Sequence, residues 1–377
     1  MAVQPIRAGV VGSGMISGIY LKNMLSRFEI LEVGGLCSAH FENAKRRADE
    51  YGIPARTFED LLADGNIDMI VNLTPAPAHE AVIRRALEAG KHVYTEKVIT
   101  TSHESARALA ALAAKKGLWL GSAPDTFLGA ALQTARRAID DGLIGEVTSF
   151  AFVANRDNSF LTSFFRFLNL PFGGVAYDYS VYYLTALCSL LGPVAKVGAA
   201  VRAPYPAHRD IDPKSKTFGR MIDTPNESEI SAVLTLKSGV TGTGHVNGDS
   251  VIQDKPYFAI YGTKGILYLP DPNGFGGDVR FQPNWAYDES PAPARALDCP
   301  FGYSDNSRGV GPAEMAWSIR AGRPARASAG MACHVLEVID GIIESGRTNA
   351  FVDIASDFDR PRPLALPIDG EESSISQ

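Results

Sequence analysis

The stretch IRAGVVGSGMISGIYLKNMLSRF, residues 6–28, starts as a short apolar strand, passes through two glycines and continues with helical apolar spacing. Gly12 permits a tight turn, and Gly14 lets a phosphate group approach the backbone. The N-terminus of the following helix, at Met15 and Ile16, supplies unpaired amide groups for an anion. The stretch therefore predicts a dinucleotide-binding turn. Any tight turn from strand to helix also favours glycine, so the turn alone leaves a purely structural role open.

The first third of the chain repeats this alternation of short apolar strands and helices. Further strands are predicted at residues 30–38, 67–74, 91–97 and 118–124, with helical segments between them. Such alternation is typical of a doubly wound parallel sheet, in which ligands bind at the carboxyl ends of the strands. We therefore expect an α/β Rossmann domain over residues 1–122.

From residue 123 onwards the pattern changes. A helix is followed by strands joined by turns, and residues 227–238 alternate polar and apolar positions as half-buried antiparallel strands do. Residues 173–192, GGVAYDYSVYYLTALCSLLG, predict one continuous helix among these strands. We expect residues 123–377 to form an α+β domain built on a large, open, mostly antiparallel sheet.

The composition argues against several classes of protein. The 377 residues carry a net charge of −6, and no basic run is longer than Lys45-Arg46-Arg47. The sequence therefore indicates neither nucleic-acid nor membrane binding. The cysteines lie far apart and the histidines show no metal-ligand spacing, so no metal is expected. The N-terminus lacks the features of a signal peptide, and we expect a cytoplasmic protein.

The end of the second strand bears on the choice of coenzyme. An acidic residue commonly binds the ribose hydroxyls of NAD at this place, but the chain has Ser38 followed by Ala39 and His40. A serine and a histidine accommodate a 2′-phosphate better than a carboxylate does. The sequence therefore gives a slight preference for NADP over NAD.

A second motif, VYTEK at residues 93–97, ends another strand on the same rim. By residue type alone, its lysine is equally consistent with a solvated strand end. With the residues before it, however, VNLTPAPAHEAVIRRALEAGKHVYTEK resembles the core of the Gfo/Idh/MocA oxidoreductase family. The resemblance continues through the GGxxxD segment ending at Asp178 to the strand YGTKGILYLP, and so extends over nearly the whole chain. It implies an NAD(P)-dependent dehydrogenase or reductase that acts on a sugar, glycoside, inositol or related polyol.

The resemblance assigns residues to the cofactor. The family's Glu-Lys-Pro motif matches Glu96 and Lys97, with Val98 in place of the proline, and its lysine lies beside the nicotinamide and the reacting hydroxyl. Other matching positions line the cofactor in relatives. The complete predicted cofactor-binding set is Gly12, Gly14, Met15, Ile16, Ser38, Thr74, Pro75, His79, Glu96 and Lys97.

The family's second site motif has an aspartate and a histidine one turn apart on a helix. Here these positions are Asp178 and Tyr182. The resemblance implies that the Lys97 ammonium is close enough to favour the phenolate, so that Tyr182 and Lys97 act as an acid–base pair. Two other interpretations stay open: Lys97 is itself the acid–base, or Tyr182 only packs structurally. Lys97, Asp178 and Tyr182 form the predicted catalytic set, with Asp178 binding a substrate hydroxyl or holding the lysine.

Three further polar residues follow predicted strands, and Asp125, Asn155 and Arg156 are predicted to bind substrate, with plain surface loops as the alternative. The resemblance implies that residues 123–377 serve substrate binding and oligomerisation, with a small-molecule sugar or polyol as the partner and a homo-oligomer, dimer or tetramer, formed through the open sheet. Two other functions found in the family stay open. One is an NAD-dependent glycosidase that oxidises the sugar transiently, and the other is a non-catalytic regulator that binds a dinucleotide.

Overall fold

The computed structural model describes residues 4–250, 256–285, 290, 292–366 and 375–377. The chain divides into two compact units. The first comprises Met1–Gly129, Phe301–Cys333 and Pro361–Gln377, and the second comprises Ala130–Pro300 and His334–Arg360. The predicted division into residues 1–122 and 123–377 does not anticipate this return of the C-terminal segments, for which the sequence has no local signal.

Helices form where apolar residues recur at helical spacing. Across the described ranges the α-helices are α1 (Ser17–Ser26), α2 (Phe41–Tyr51), α3 (Phe58–Ala63), α4 (His79–Glu88), α5 (His103–Lys115), α6 (Ala130–Asp140), α7 (Asn158–Phe164), α8 (Val181–Leu191), α9 (Val310–Ala321) and α10 (Ala329–Thr348). No helix of the described part of the chain combines the length and the apolar character needed to cross a bilayer.

Strands form where short apolar or alternating runs are bounded by turn residues. They are β1 (Ile6–Val11), β2 (Leu31–Cys37), β3 (Met69–Asn72), β4 (His92–Thr95), β5 (Leu120–Ser122), β6 (Val147–Asn155), β7 (Val194–Arg202), β8 (Ala207–Arg209), β9 (Met221–Asp223), β10 (Glu229–Leu236), β11 (Thr241–Asn247), β12 (Tyr257–Gly262), β13 (Gly265–Leu269), β14 (Arg280–Pro283), β15 (Arg295–Ala296) and β16 (Val352–Asp353).

The first unit contains the predicted Rossmann sheet. Its five strands are hydrogen-bonded in the order β2-β1-β3-β4-β5, and every pair is parallel. Val10, Val71 and Val93 in the three central strands have no exposed surface. Burial on both faces explains why these strands read as apolar runs rather than as alternating patterns. The parallel arrangement brings the carboxyl ends of all five strands to one edge.

The second unit contains the predicted large sheet. Nine strands are hydrogen-bonded in the order β15-β14-β13-β12-β6-β11-β10-β7-β16. The pair of β6 and β11 is parallel and the other pairs are antiparallel, so the predicted fold class is confirmed. The run YFAIYGTKGILYL folds as a hairpin of β12 and β13.

The structure differs from the prediction in two segments of the second unit. Helix α7 is absent from the prediction, because NSFLTSF has too little apolar periodicity to mark so short a helix. The predicted continuous helix over residues 173–192 begins instead with a π-helical turn, Ala176–Ser180, and becomes an α-helix only at Val181. The Ser180 hydroxyl bonds to the carbonyl of Val175, five residues earlier, which matches the wider turn.

A buried histidine makes the stability of the second unit depend on pH. The Val194 amide donates to Nε2 of His334 at 2.9 Å, which leaves Nδ1 as the donor to the Ser356 hydroxyl at 2.8 Å. Burial lowers the pKa of His334 from 6.5 to about 4. Between these two values the unfolded chain binds a proton that the native chain does not. The unfolding free energy therefore falls as the pH falls from 6.5 to 4, by about 3 kcal/mol for this group, and the contribution is complete above 6.5.

The matched variant is His334→Gln, whose amide offers one hydrogen-bond acceptor and one donor but does not titrate. We measure the unfolding free energies of the variant and the wild-type protein in urea from pH 4 to 7. Between pH 4 and 6.5, the slope of the unfolding free energy against pH should be smaller in the variant by ~1 kcal/mol per pH unit. The same pH dependence in both proteins would contradict this account of His334.

Candidate active site

The glycine turn of the first unit is shaped to receive a dinucleotide. Gly12 has φ of +114°, and a Cβ there would lie 2.7 Å from the carbonyl group of Leu73. Only glycine fits this position, because it tolerates both the backbone conformation and the close approach. A Cβ at Gly14 would meet no atom within 4 Å, so the side of the turn that faces a ligand is open. This space and the adjoining start of α1 fit a pyrophosphate.

The helix after the turn begins at Ser17, which occupies the position of the third glycine in the dinucleotide motif. Its hydroxyl donates to the Gly14 carbonyl at 2.6 Å and its amide to the same oxygen at 3.1 Å. Ser17 has no exposed surface, whereas Met15 at the tip of the turn is 72% exposed. The turn is therefore held by the buried Ser17 and is accessible to solvent at Met15.

The end of β2 holds the predicted coenzyme-selecting position. Ser38 is half-buried, and the next residues, Ala39 and His40, are exposed before α2 begins. The guanidinium of Arg47 in α2 pairs with Glu50 at 2.7 Å. The three residues that directly follow β2, Ser38 to His40, are not acidic.

The ends of β3 and β4 are joined by Asn72, a residue that sequence reasoning missed. Asn72 is fully buried; its amide nitrogen donates to the Thr95 hydroxyl at 3.0 Å, and its side-chain oxygen accepts from the Thr74 hydroxyl at 2.7 Å. Thr74 is half-buried and Pro75 is exposed at this edge of the sheet. Asn72 thus fixes the strand ends that carry two predicted cofactor positions.

Glu96 and Lys97 follow β4 on the same edge, and both are half-buried. One oxygen of Glu96 accepts from the Tyr20 hydroxyl at 2.7 Å, and the other accepts from the Lys97 amide at 3.0 Å. The Glu96 amide donates to the carbonyl of Asn72 at 2.8 Å. The Lys97–Val98 peptide bond is cis. The backbone at the predicted catalytic lysine is thus held by a carboxylate that has a second partner on α1.

His79 has no exposed surface, and its two ring nitrogens lie 2.7 Å from the carbonyl oxygens of Thr74 and Val98. Burial lowers the pKa of His79. Its direct contacts are therefore with the backbone of Val98, the residue after Lys97, and with the backbone of Thr74 after β3. That His79 contacts the cofactor itself stays a prediction.

Asp125, predicted to bind substrate, is 1% exposed in the first unit. Its Oδ2 accepts from the amides of Gly309 and Gly311, both at 3.1 Å, at the start of α9. Burial raises the pKa of Asp125 to about 6, against the opposing effect of Arg308 and these two amides. These contacts make Asp125 an anion at the N-terminus of α9, and substrate binding by Asp125 stays a prediction.

In the second unit, Asp178 is paired with Arg156. The Arg156 guanidinium donates to Oδ2 of Asp178 at 2.7 Å and to the side-chain oxygen of Asn158 at 2.8 Å, and it lies 4.9 Å from the centre of the Tyr179 ring. Arg156 is 6% exposed. Because a buried charge is costly without a partner, the pair fixes the Asp178 carboxylate in one orientation. Asn155 lies half-buried at the end of β6.

The glycines before Asp178 make room for another carboxylate. A Cβ at Gly174 would overlap the Glu227 side chain, whose Oε1 accepts from the Ala176 amide at 2.9 Å. Burial raises the pKa of Glu227. Glu227 therefore caps the π-helical turn that carries Asp178, and the sequence has no local sign of this contact.

Tyr182 lies one residue into α8 and is 9% exposed. Three other tyrosines of the segment face carboxylates: the Tyr177 hydroxyl donates to Asp340 at 2.8 Å, and those of Tyr179 and Tyr183 lie 3.5 and 3.4 Å from Asp271. These three side chains pack within the second unit.

Two sequence models of one family match the chain. The model described as an oxidoreductase family with an NAD-binding Rossmann fold (GFO_IDH_MocA) matches residues 6–123, and the model of the GFO/IDH/MocA C-terminal domain matches residues 132–268. Together the two matches span more than half of the chain.

Individual relatives agree with this. A dTDP-3,4-didehydro-2,6-dideoxy-alpha-D-glucose 3-reductase of Actinomadura kijaniata is 34% identical over 151 residues, 39% of this chain and 45% of that protein. An inositol 2-dehydrogenase of Rhizobium meliloti is 30% identical over 154 residues, 41% of this chain and 46% of that protein. The alignments thus span about half the length of these relatives. The solved structure of the apo form of levoglucosan dehydrogenase has the same fold, with a TM-score of 0.80 and 17% identity over 94% of this chain and 100% of that one.

Proposed function

Because the chain belongs to the Gfo/Idh/MocA family of NAD-binding oxidoreductases, we propose that it transfers hydride between a nicotinamide coenzyme and a secondary alcohol or ketone of a sugar, glycoside, inositol or related polyol. The observation that carries the proposal is the edge of the first sheet. There, an open dinucleotide turn and a lysine with a fixed backbone stand at the carboxyl ends of parallel strands. Two of the relatives are named for a ketone of a deoxysugar nucleotide and for inositol, which supports this substrate class.

The first unit's residues would bind and orient the coenzyme. The amides at the start of α1 would receive the pyrophosphate, and Gly14 leaves the room it needs. The coenzyme supplies the hydride acceptor in oxidation and the hydride donor in reduction. Thr74 and Pro75, at the end of β3, would border the nicotinamide side of the site.

The chain's own task in the reaction is to move one proton at the substrate oxygen. We propose that the Tyr182 side chain, in its phenolate form, takes the proton from the substrate hydroxyl in oxidation. In reduction the phenol returns this proton to the substrate oxygen. The Lys97 ammonium would stabilise the developing alkoxide. Asp178, held by Arg156, would accept a hydrogen bond from a substrate hydroxyl. A substrate with several hydroxyl groups suits such a set of charged and phenolic side chains.

The test is nicotinamide absorbance on mixing the protein with NAD⁺ or NADP⁺ and a panel of pyranoses, glycosides and inositols. Coenzyme reduction that depends on one class of polyol supports the proposal. Glycoside cleavage without net change of the nicotinamide would instead identify a glycosidase. Coenzyme binding without either reaction would identify a dinucleotide-binding regulator.

For the coenzyme we propose a preference for NADP, resting on Ser38 at the end of β2. Ser38→Asp would place a carboxylate where the 2′-phosphate binds, and like charges side by side are costly. We expect the ratio of NADPH to NADH affinity, measured by fluorescence titration, to fall by at least ~10-fold. Ser38→Ala is the matched control, because it removes the hydroxyl without adding charge and should change the ratio far less. An unchanged ratio in Ser38→Asp would refute the placement.

A further inference from the structure

Tyr20 makes a contact that neither the glycine turn nor the Glu96-Lys97 motif accounts for. It lies on α1, directly after the dinucleotide turn, and its side chain has no exposed surface. Its hydroxyl donates to Oε1 of Glu96 at 2.7 Å, across 76 residues of sequence. Burial and the Glu96 carboxylate raise the pKa of Tyr20, so the phenol remains protonated and remains a donor.

Packing alone does not account for the hydroxyl of Tyr20. A phenylalanine would fill nearly the same volume of the core, and a buried hydroxyl is unfavourable unless it is hydrogen-bonded. The partner of this hydroxyl is one of the two oxygens of Glu96, and the second oxygen accepts from the Lys97 amide. A phenol here therefore serves to orient the Glu96 carboxylate.

A continuous series of bonded groups connects the turn to the lysine within the first unit. Ser17 closes α1 onto the Gly14 carbonyl, Tyr20 extends from α1 to Glu96, and Glu96 holds the Lys97 amide. The Glu96 backbone is itself fixed, because its amide donates to the carbonyl of Asn72 at the end of β3. With its backbone fixed, the remaining freedom of Glu96 is in its side chain, which the Tyr20 hydroxyl holds.

We propose that Tyr20 is a positioning residue that acts through Glu96. It fixes the position of Lys97 relative to α1, the helix that binds the dinucleotide phosphates. This role rests on the proposed function, since it concerns the lysine and the coenzyme of that reaction. It follows that a change in α1 is transmitted to the nicotinamide end of the site, and not only to the phosphates.

The test compares two variants, each of which lacks one phenolic hydroxyl. One hydroxyl belongs to a residue of α1, and the other donates a hydrogen bond to α1. Tyr20→Phe removes the bond to Glu96. Tyr51→Phe removes a 2.9 Å bond from Tyr51 of α2 to the carbonyl of Gly18 in α1, which does not involve Glu96. A structural role alone predicts the same behaviour for both variants, with melting temperatures lower by ~2–4 °C.

The proposal predicts that only Tyr20→Phe lowers kcat, by about tenfold, while the Kd for NAD(P)H stays within ~2-fold of the wild-type value. It also predicts that the emission maximum and intensity of bound NAD(P)H, which report the surroundings of the nicotinamide, change in Tyr20→Phe alone. Wild-type kcat and emission in Tyr20→Phe, or equal losses in both variants, would overturn it.

Failure of the proposed function gives a different result. If the wild-type protein binds NAD(P)H but turns over no polyol, the hydride-transfer proposal fails. The emission of bound NAD(P)H then still decides the role of Tyr20. A changed spectrum in Tyr20→Phe but not in Tyr51→Phe supports the positioning role, and identical spectra in all three proteins overturn it.

Discussion

Replacing Lys97 by methionine is expected to lower kcat/KM by ~10²–10⁴-fold, the range by which positioned groups that assist proton transfer accelerate reactions. Methionine keeps much of the side-chain volume but removes the ammonium that would stabilise the alkoxide. Lys97 is half-buried and its backbone is fixed by Glu96, so the substitution should leave the fold intact. Because Lys97 also belongs to the predicted cofactor-binding set, we expect NAD(P)H affinity to fall, but by less than ~10-fold and therefore less than kcat/KM. Steady-state kinetics and fluorescence titration on the same preparation measure both quantities.

Lys97→Arg separates the two interpretations of the lysine. Arginine keeps the positive charge but does not release its proton in the accessible pH range. If Lys97 only stabilises charge, Lys97→Arg keeps much of the activity and the pH profile of kcat. If Lys97 is itself the acid–base, Lys97→Arg is as inactive as Lys97→Met. A Lys97→Met variant with wild-type kcat/KM would remove Lys97 from the reaction altogether.

Removing the hydroxyl of Tyr182 is the second change with a large expected effect. Tyr182→Phe should lower kcat by ~10²-fold or more and abolish the pH dependence that the phenol gives to the reaction. The physical reason is that phenylalanine keeps the packing in α8 but cannot take or return a proton. The pH profiles of kcat for wild-type and variant measure this directly.

Tyr177→Phe is the matched control for Tyr182→Phe. It removes a phenol from the same segment, but one whose hydroxyl is bonded to Asp340. We expect it to keep kcat within ~2-fold of the wild-type value. Unimpaired turnover by Tyr182→Phe would assign Tyr182 to packing and leave Lys97 as the acid–base. Equal losses in both variants would point to disturbance of the π-helical turn rather than to proton transfer.

The parts of the fold and site that sequence predicted are those set by local patterns. The run from Ile6 through Gly12 to α1 has strand, turn and helix signals in direct succession, so its structure follows from neighbouring residues. The alternation of strands and helices likewise predicted the parallel sheet, and with it the edge at which Thr74 and Glu96 lie. Apolar periodicity and turn residues act over a few positions, and such signals can be recognised in one sequence.

The contacts that sequence could not predict join residues far apart in the chain. Tyr20 and Glu96 are 76 residues apart, and Asp125 bonds to amides 184 and 186 residues away. Nothing in the neighbourhood of a tyrosine or an aspartate shows which distant group will be its partner. Substrate binding by Asp125 was predicted from its place after a strand, and that place gave no sign of its bonds to the two distant amides.

The segment around Asp178 shows a limit of another kind. Helical periodicity correctly indicated a helix, but a π-helical turn adds one residue to the turn and changes which side chains share a face. Glu227 and Arg156, the carboxylate that caps this turn and the guanidinium that pairs with Asp178, come from other parts of the second unit. The geometry of Asp178 therefore depends on tertiary contacts that periodicity does not encode.

The central claim, that hydride passes between a polyol carbon and a nicotinamide on this protein, is tested most directly by isotope transfer. The protein is incubated with NADP⁺ or NAD⁺ and polyols deuterated at their CH–OH carbons, and the nicotinamide is analysed by mass spectrometry. The account predicts reduced coenzyme that carries one deuterium and is one mass unit heavier than with unlabelled substrate. Coenzyme that binds but stays oxidised with every member of the panel would contradict it.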